Sequence, residues 1–417
     1  MTMNESDNAA RYAEKSKRVM DAVELRQPDR IPTAFFHAFW LARYGGITCR
    51  ELMYDCDKAC ELAKAAILEL DPDIVAGPDI ASWGPPLEAM GFKQLEWAGH
   101  GVGENQPYQF IDREYMTADE YDDFLFDPTG FYLNKYLPRV AKAYEGFAEM
   151  PMLPGVAYLG LAAMTPAIAN PAVMRAFSEV QKAGEAMRKI SGRLGAFAEE
   201  MAALGYPGMF GGISYAPFDY FGDYLRGAKG ILTDIRRRPE KLQEAMEKAS
   251  VFILRQAAGL AERSRNRFVF IPIHWGPDGF MSLQQFKALW WPSFRKVLLG
   301  LIELDLIPLV LWEADCTSRL EVIGDDMPRG KMVYWFERTD LFKAKEVLGD
   351  VVCLRGNVSP SLMTTGTPQE VDACCRKLIE KVGRDGGFIL DTAFGVPDET
   401  PLENVRALYR SVQKYSA

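Results

Sequence analysis

The chain has 417 residues, 48% of them hydrophobic and 25% charged, with a net charge of -9 and a pI near 5.2. That length holds one large barrel or a few ordinary domains, and the acidic balance excludes a sequence-independent nucleic-acid binder, which needs a basic face. No apolar run approaches the roughly 20 residues of a membrane span. The polar start MTMNESDNAARYAEKSKRV is no secretory signal, and seven cysteines without one read as reduced cytoplasmic thiols.

Residues 1–26 read as a polar helical extension, broken at Pro28. Residues 27–417 read as one domain, since no linker, low-complexity tract or charge block divides them. Ile31 to Trp40 (IPTAFFHAFW) is a first strand running into its loop, and Asp55 to Leu70 is a helix with Cys60, Ala63 and Ile67 near one face. Ile74-Val75-Ala76 is a short strand closed by Gly77-Pro78-Asp79-Ile80. Residues 92–126 look like a polar hairpin followed by a helix that Thr117 caps, with Glu120 three residues on. Met152 to Leu161 is another apolar run, and a long helix follows from Pro171 to about Leu204. Further strands are expected at Gly208–Ile213, Phe268–Ile273, Ile307–Trp312, Lys331–Phe336, Val351–Leu354 and Gly387–Asp391. Helices fall between them at Thr233–Arg265, with Pro239 at a helix start, and at Leu283–Leu304, Leu341–Leu348, Thr367–Val382 and Pro401–Tyr415. Some eight strand–helix units imply a parallel sheet. An α/β architecture, a (β/α)8 TIM-type barrel with an N-terminal helical extension, suits the count and length better than an open sheet. Neither a G-x-G-x-x-G nor a Walker loop is present.

In such a barrel chemistry sits at the carboxyl ends of the strands. The polar residues placed there are His37, Asp79, Asp219 and Asp223 with Arg226, His274, Glu313 with Asp315 and Cys316, Glu337, Asn357 and Asp391. Asp219, Asp223 and Arg226 also suit a local ion pair and cap, and Asn357 also suits a turn. His274 directly ends the apolar run FVFIPI and enters a turn-rich loop, Trp275-Gly276-Pro277-Asp278-Gly279. The next strand, in IPLVLWEADC, delivers Glu313 and Cys316. Imidazole, carboxylate and thiolate are zinc donors, although the C-x2-C spacing that marks many zinc sites is absent.

Four segments carry a family resemblance: PFDYFGDYLRG (Pro217–Gly227), PIHWGPDGFMS (Pro272–Ser282), GNVSPSLMTTGTPQEV (Gly356–Val371) and GGFILDTAFGVPDETPLENVRAL (Gly386–Leu408). With them the chain resembles the uroporphyrinogen decarboxylase superfamily from about residue 20 onward. The resemblance implies a barrel with one of two chemistries, cofactor-free decarboxylation of a tetrapyrrole or zinc-dependent methyl transfer involving corrinoid proteins or thiols. The decarboxylases carry an arginine-rich loop after the first strand, where this chain has Thr33-Ala34-Phe35-Phe36-His37-Ala38-Phe39-Trp40. An apolar loop leaves a polycarboxylate unpaired, at several kcal/mol. Asp79 looks like the decarboxylase aspartate. Glu313-Ala314-Asp315 resembles the Glu-Gly-Asp of the corrinoid-associated methyltransferase and O-demethylase branch, whereas Trp312, Ala314 and Phe394 stand where thiol-directed members keep His and Cys zinc ligands.

The resemblance thus implies a methyltransferase moving a methyl group from a small O-methyl type donor to cobalamin on a partner corrinoid protein, with zinc as Lewis acid. Asp79, His274 and Glu313 are the expected catalytic residues, and His274, Glu313 and Cys316 the expected zinc ligands. His37, Trp83, Asp219, Trp275 and Asn357 are expected to contact substrate. A homodimer is a further expectation. The alternatives are a cofactor-free lyase decarboxylating a small acid with Asp79 and His274, and a non-catalytic ligand carrier on the same barrel.

Overall fold

Apolar runs of two to six residues become parallel strands in the computed structural model, which describes residues 5–78, 83–151 and 158–416. These strands are β1 (Ala34–Phe35), β2 (Ile74–Val75), β3 (Gly212–Ile213), β4 (Phe268–Ile273), β5 (Ile307–Trp312), β6 (Val333–Phe336), β7 (Cys353–Val358) and β8 (Phe388–Thr392). Strands β3 to β8 make one parallel sheet in sequential order, and β1 pairs with β2. Single bridges, Thr33 to Leu390 and Val75 to Gly208, join the two pieces at both seams. Leu390 N donates to Pro32 O at 2.9 Å, and Met209 N donates to Val75 O at 2.7 Å. The ring closes. It is the barrel that the strand–helix alternation implies.

Strand periodicity then decides which residues face the lumen. Leu309, Leu311, Val333, Trp335 and Ile389 join one buried cluster inside the ring, while Val310, Trp312, Tyr334, Leu354 and Leu390 pack outward against the helices. A charged pair sits inside the lumen. Arg355 lies 3.7 Å over the Trp335 ring and donates to Asp391 Oδ2 at 2.6 Å, with both side chains buried.

The N-terminal helix α1 (Glu5–Val23) seats Val19, Ala22 and Val23 in the lumen cluster, so it floors the barrel. Its buried Arg18 donates to buried Asp73 at 2.6 Å. Removing one partner of such a pair typically costs about 3–5 kcal/mol.

The expected first strand shortens to two residues because Ala38 adopts φ 40 and the chain turns into the helix Trp40–Gly45. Of the apolar run Met152–Leu161, residues 152–157 lie outside the described residues, and Tyr158–Leu161 opens a helix that continues to Ile168. The polar excursion holds an antiparallel hairpin of Leu95–Ala98 with Tyr108–Phe110, then the capping box of Thr117 and Glu120. Pro239 opens its helix at the first turn, Pro239–Ser264.

Candidate active site at the exits of strands four and five

His274 is the first residue past β4, and inward alternation after Phe270 and Pro272 turns its ring toward the barrel mouth. Its Nδ1 lies 2.6 Å from Asp223 Oδ2, and its Nε2 lies 3.3 Å from Glu313 Oε1, the first residue past β5. The imidazole is therefore held between two carboxylates. Burial opposes its charge, but the hydrogen bonds and charges of Asp223 and Glu313 outweigh burial and raise it to about 11. His274 is an imidazolium at neutral pH.

Asp223 comes from a turn that sequence periodicity cannot anticipate. Tyr220–Arg226 is wound as a π-helix, a form concentrated at functional sites. It points Asp223 at the strand end that Asp219, the last residue of the preceding turn Pro217–Asp219, also reaches. Asp219 Oδ1 accepts the backbone N–H groups of His274 (2.6 Å) and Trp275 (3.1 Å), and its Oδ2 accepts Trp290 Nε1 at 2.8 Å. Burial, then the neighbouring Asp223 charge, push the Asp219 carboxyl up to about 7. It is a brace for the strand end, fully enclosed. Trp275 Nε1 donates to Asp223 Oδ1 at 2.7 Å, so this indole orients the carboxylate that orients His274. Arg226 is elsewhere, paired with Asp234 at 2.6 Å and Glu114 at 2.5 Å. The local Asp219–Asp223–Arg226 ion pair does not form.

One residue after Glu313 the strand pattern breaks. Ala314 takes φ 57, and its N–H donates to Glu337 Oε2 at 2.5 Å. A residue with a Cβ loses roughly 1–2 kcal/mol in this left-handed conformation. Past that kink Asp315 turns to the loop, where its Oδ1 accepts from Thr317 N at 2.9 Å. Cys316 is fully buried, its N–H donates to Thr339 Oγ1 at 2.9 Å, and burial raises its thiol well above the ordinary range.

The structure therefore brings together His274, Glu313, Asp219 and Trp275, and with them Asp223, a strand-exit candidate that also suited an ion pair and cap. It does not bring Cys316 to them. Among the described residues, the group whose donor atoms lie within 4.8 Å of one another is Asp219, Asp223 and His274. Every carboxylate oxygen of that group already accepts an N–H. His274 Nε2 and Glu313 are two donors, whereas catalytic zinc is held by three. An oxygen that accepts one N–H keeps a second lone pair, so Asp219, Asp223 and His274, with Glu313 beside them, are the residues that would hold a metal ion.

The remaining expected residues lie apart. His37 is buried outside the lumen, 5.2 Å from the Phe35 ring, and neither ring nitrogen has a hydrogen-bond partner. Burial lowers it to about 4, which keeps it neutral. Trp83 is likewise buried with its indole N–H unpartnered. Asn357 donates to Thr339 O at 2.8 Å and lines a cleft of about 670 Å³ with Glu337, Arg338 and Ser359, beyond β6 and β7. Asp79 lies outside the described residues.

An aromatic cluster gathers around Phe36, past β1. Phe36 meets Phe210, Trp335 and Phe394 at centroid distances of 5.7, 6.0 and 6.2 Å, and Phe394 is 43% exposed. From the excursion hairpin, Tyr108 packs 6.0 Å from Phe39. Burial, then the charges of Glu313 and Asp398, raise its phenol. Arg355, in the lumen wall, is already bound to Asp391.

Comparison with known proteins agrees with this architecture. The chain is 28% identical to the uroporphyrinogen decarboxylase of Coxiella burnetii over 110 residues, 26% of this chain and 30% of that protein. It is 26% identical to the enzyme of Pseudoalteromonas atlantica over 146 residues, 34% of this chain and 40% of that protein. The match thus spans well under half the length of these curated relatives. A solved methyltransferase from Methanosarcina mazei superposes with a TM-score of 0.62 at 16% identity, covering 97% of this chain and 99% of that one, a likeness of fold. The family model described as "Uroporphyrinogen decarboxylase (URO-D)" matches residues 160–415, more than half of the chain, and the chain belongs to that family.

Proposed function

We propose that the chain is a methyltransferase that takes the methyl group of a small O-methyl type donor and passes it to a corrinoid protein. The observation that carries this reading is the imidazolium of His274, held by Asp223 and Glu313 at the exits of β4 and β5. An alkoxide or phenoxide is a poor leaving group in water, and a positioned acid typically contributes a factor of about 10²–10⁴ by protonating it. His274 Nε2 passes that proton to the donor oxygen in place of Glu313, while Asp223 accepts from Nδ1 and stabilises the ring. The corrinoid, carried by the partner, supplies the nucleophile that accepts the methyl group. Phe36, Trp335 and Phe394 suit the apolar body of a methyl ether. They do not suit a tetrapyrrole with many carboxylates, because Arg355 is already paired and Glu313, Glu337 and Asp223 add negative charge at the rim. The shared fold with a protein named a methyltransferase supports the reading, and no step here uses a metal.

The test combines purified protein, reduced cobalamin and a panel of methyl ethers, following the methylcobalamin spectrum. Methyl transfer that His274→Gln abolishes supports the reading. Carbon dioxide released from a small acid without cobalamin replaces it with the lyase.

A further inference from the structure

The turn Tyr220–Arg226 has a second face. It presents Asp223 to His274, and it presents Tyr220 and Tyr224 to a separate cavity of about 460 Å³. Tyr132 and Tyr136 enter that cavity from the segment after the helix Pro128–Phe131, Tyr215 from the exit of β3, and Phe252 from the helix Pro239–Ser264. Tyr215 and Tyr224 meet edge-on, 5.5 Å apart at 79°, Tyr220 and Phe252 are 5.6 Å apart at 69°, and Tyr132 stacks on Tyr136 at 5.4 Å and 26°.

The chemistry of the walls is one-sided. Five tyrosines line the cavity, and no lysine, arginine or histidine does among the described residues. Tyr136 donates to Gln94 Oε1 at 3.2 Å. Burial first, then the neighbouring phenols, raise Tyr215 and Tyr220, and Asp223 acts on Tyr215 and Tyr224 from behind the wall. An anion would find no cationic side chain in the lining and would meet ring faces of its own sign, with Asp223 behind the wall. A wholly apolar ligand would strip water from several phenol oxygens and offer no charge in return. A bare ammonium would lose hydration that few acceptors here replace. A methylated ammonium carries its charge on an apolar shell, needs no hydrogen bonds, and is attracted by aromatic faces.

We propose that this tyrosine-walled cavity binds a small methylated ammonium cation. The cavity volume is in the range of small-molecule sites, and the assignment does not depend on the reaction at His274.

Calorimetric titration of the full-length protein with choline, and with its uncharged isostere 3,3-dimethylbutan-1-ol, tests it. Choline should bind at least about tenfold more tightly than the alcohol. Tyr220→Leu should weaken choline about tenfold or more while Tyr220→Phe keeps it within about threefold, because the ring face does the binding. Tyr132→Leu, at the exposed rim, should weaken it too without changing the melting temperature. Equal affinity for choline and the alcohol, no binding of choline to the wild type, or unchanged affinity in both leucine variants would overturn the proposal.

Discussion

Two histidines follow two strands of the same barrel and end in opposite states. His274, past β4, is charged and bound at both nitrogens, whereas His37, past β1, is neutral and bound at neither. Burial lowers the proton affinity of both. At His37 nothing opposes burial strongly and the ring falls to about 4, while at His274 the carboxylates of Asp223 and Glu313 carry it to about 11. The difference teaches that a strand exit alone does not make a site. What makes one is a pair of carboxylates delivered by neighbouring elements, here the turn Tyr220–Arg226 and β5.

The largest effect expected from breaking that contrast is on rate. His274→Gln should lower methyl transfer by about 10²–10⁴-fold, and Asp223→Asn should lower it about 10²-fold while shifting its pH dependence, both read by methylcobalamin formation. His37→Phe should leave the rate within about threefold.

The next effect is on stability against pH. His37 has a lowered folded value, so the unfolded chain binds a proton the native state refuses as pH falls below about 6.5. Stability should fall by about 3 kcal/mol between pH 6.5 and 4 from this group. Denaturant melts of His37→Phe should lack that component. The sign at His274 is the reverse: its contribution is full below about 6.5 and is lost as pH rises through about 11.

Smaller effects separate Cys316 from the site. Cys316→Ser should cost about 1–2 kcal/mol of stability, measured by denaturant unfolding, and change the rate less than threefold. A loss of rate together with a loss of bound metal would restore Cys316 as a ligand. Smallest of all, Ala314→Gly should raise stability by up to about 1 kcal/mol, since glycine tolerates φ 57 without the Cβ penalty.

Much of this was legible in the sequence, for a physical reason. The six strands from Gly208 onward are apolar runs followed at once by polar residues, and the barrel, with His274 and Glu313 at its mouth, followed from that pattern. Cys316 was misplaced because strand spacing assumes regular backbone, and the left-handed Ala314 re-aims everything after Glu313. Asp223 was undervalued because a π-helical turn leaves no periodicity to read. His37 carried a usable signal. Phe36 packs with the lumen, so strict alternation turns the next residue outward, away from substrate. The floor formed by α1 was hidden by the polar face that surrounds Val19, Ala22 and Val23.

With three histidines in the chain, ¹⁵N-histidine labelling resolves each ring by substitution, and a pH titration reads its protonation directly. The account predicts that His274 stays protonated from pH 6 to beyond pH 9, toward its value of about 11, while His37 remains neutral down to about pH 5. A His274 that titrates near the ordinary 6.5 would contradict the imidazolium, and with it the proton donor on which the proposed methyl transfer rests.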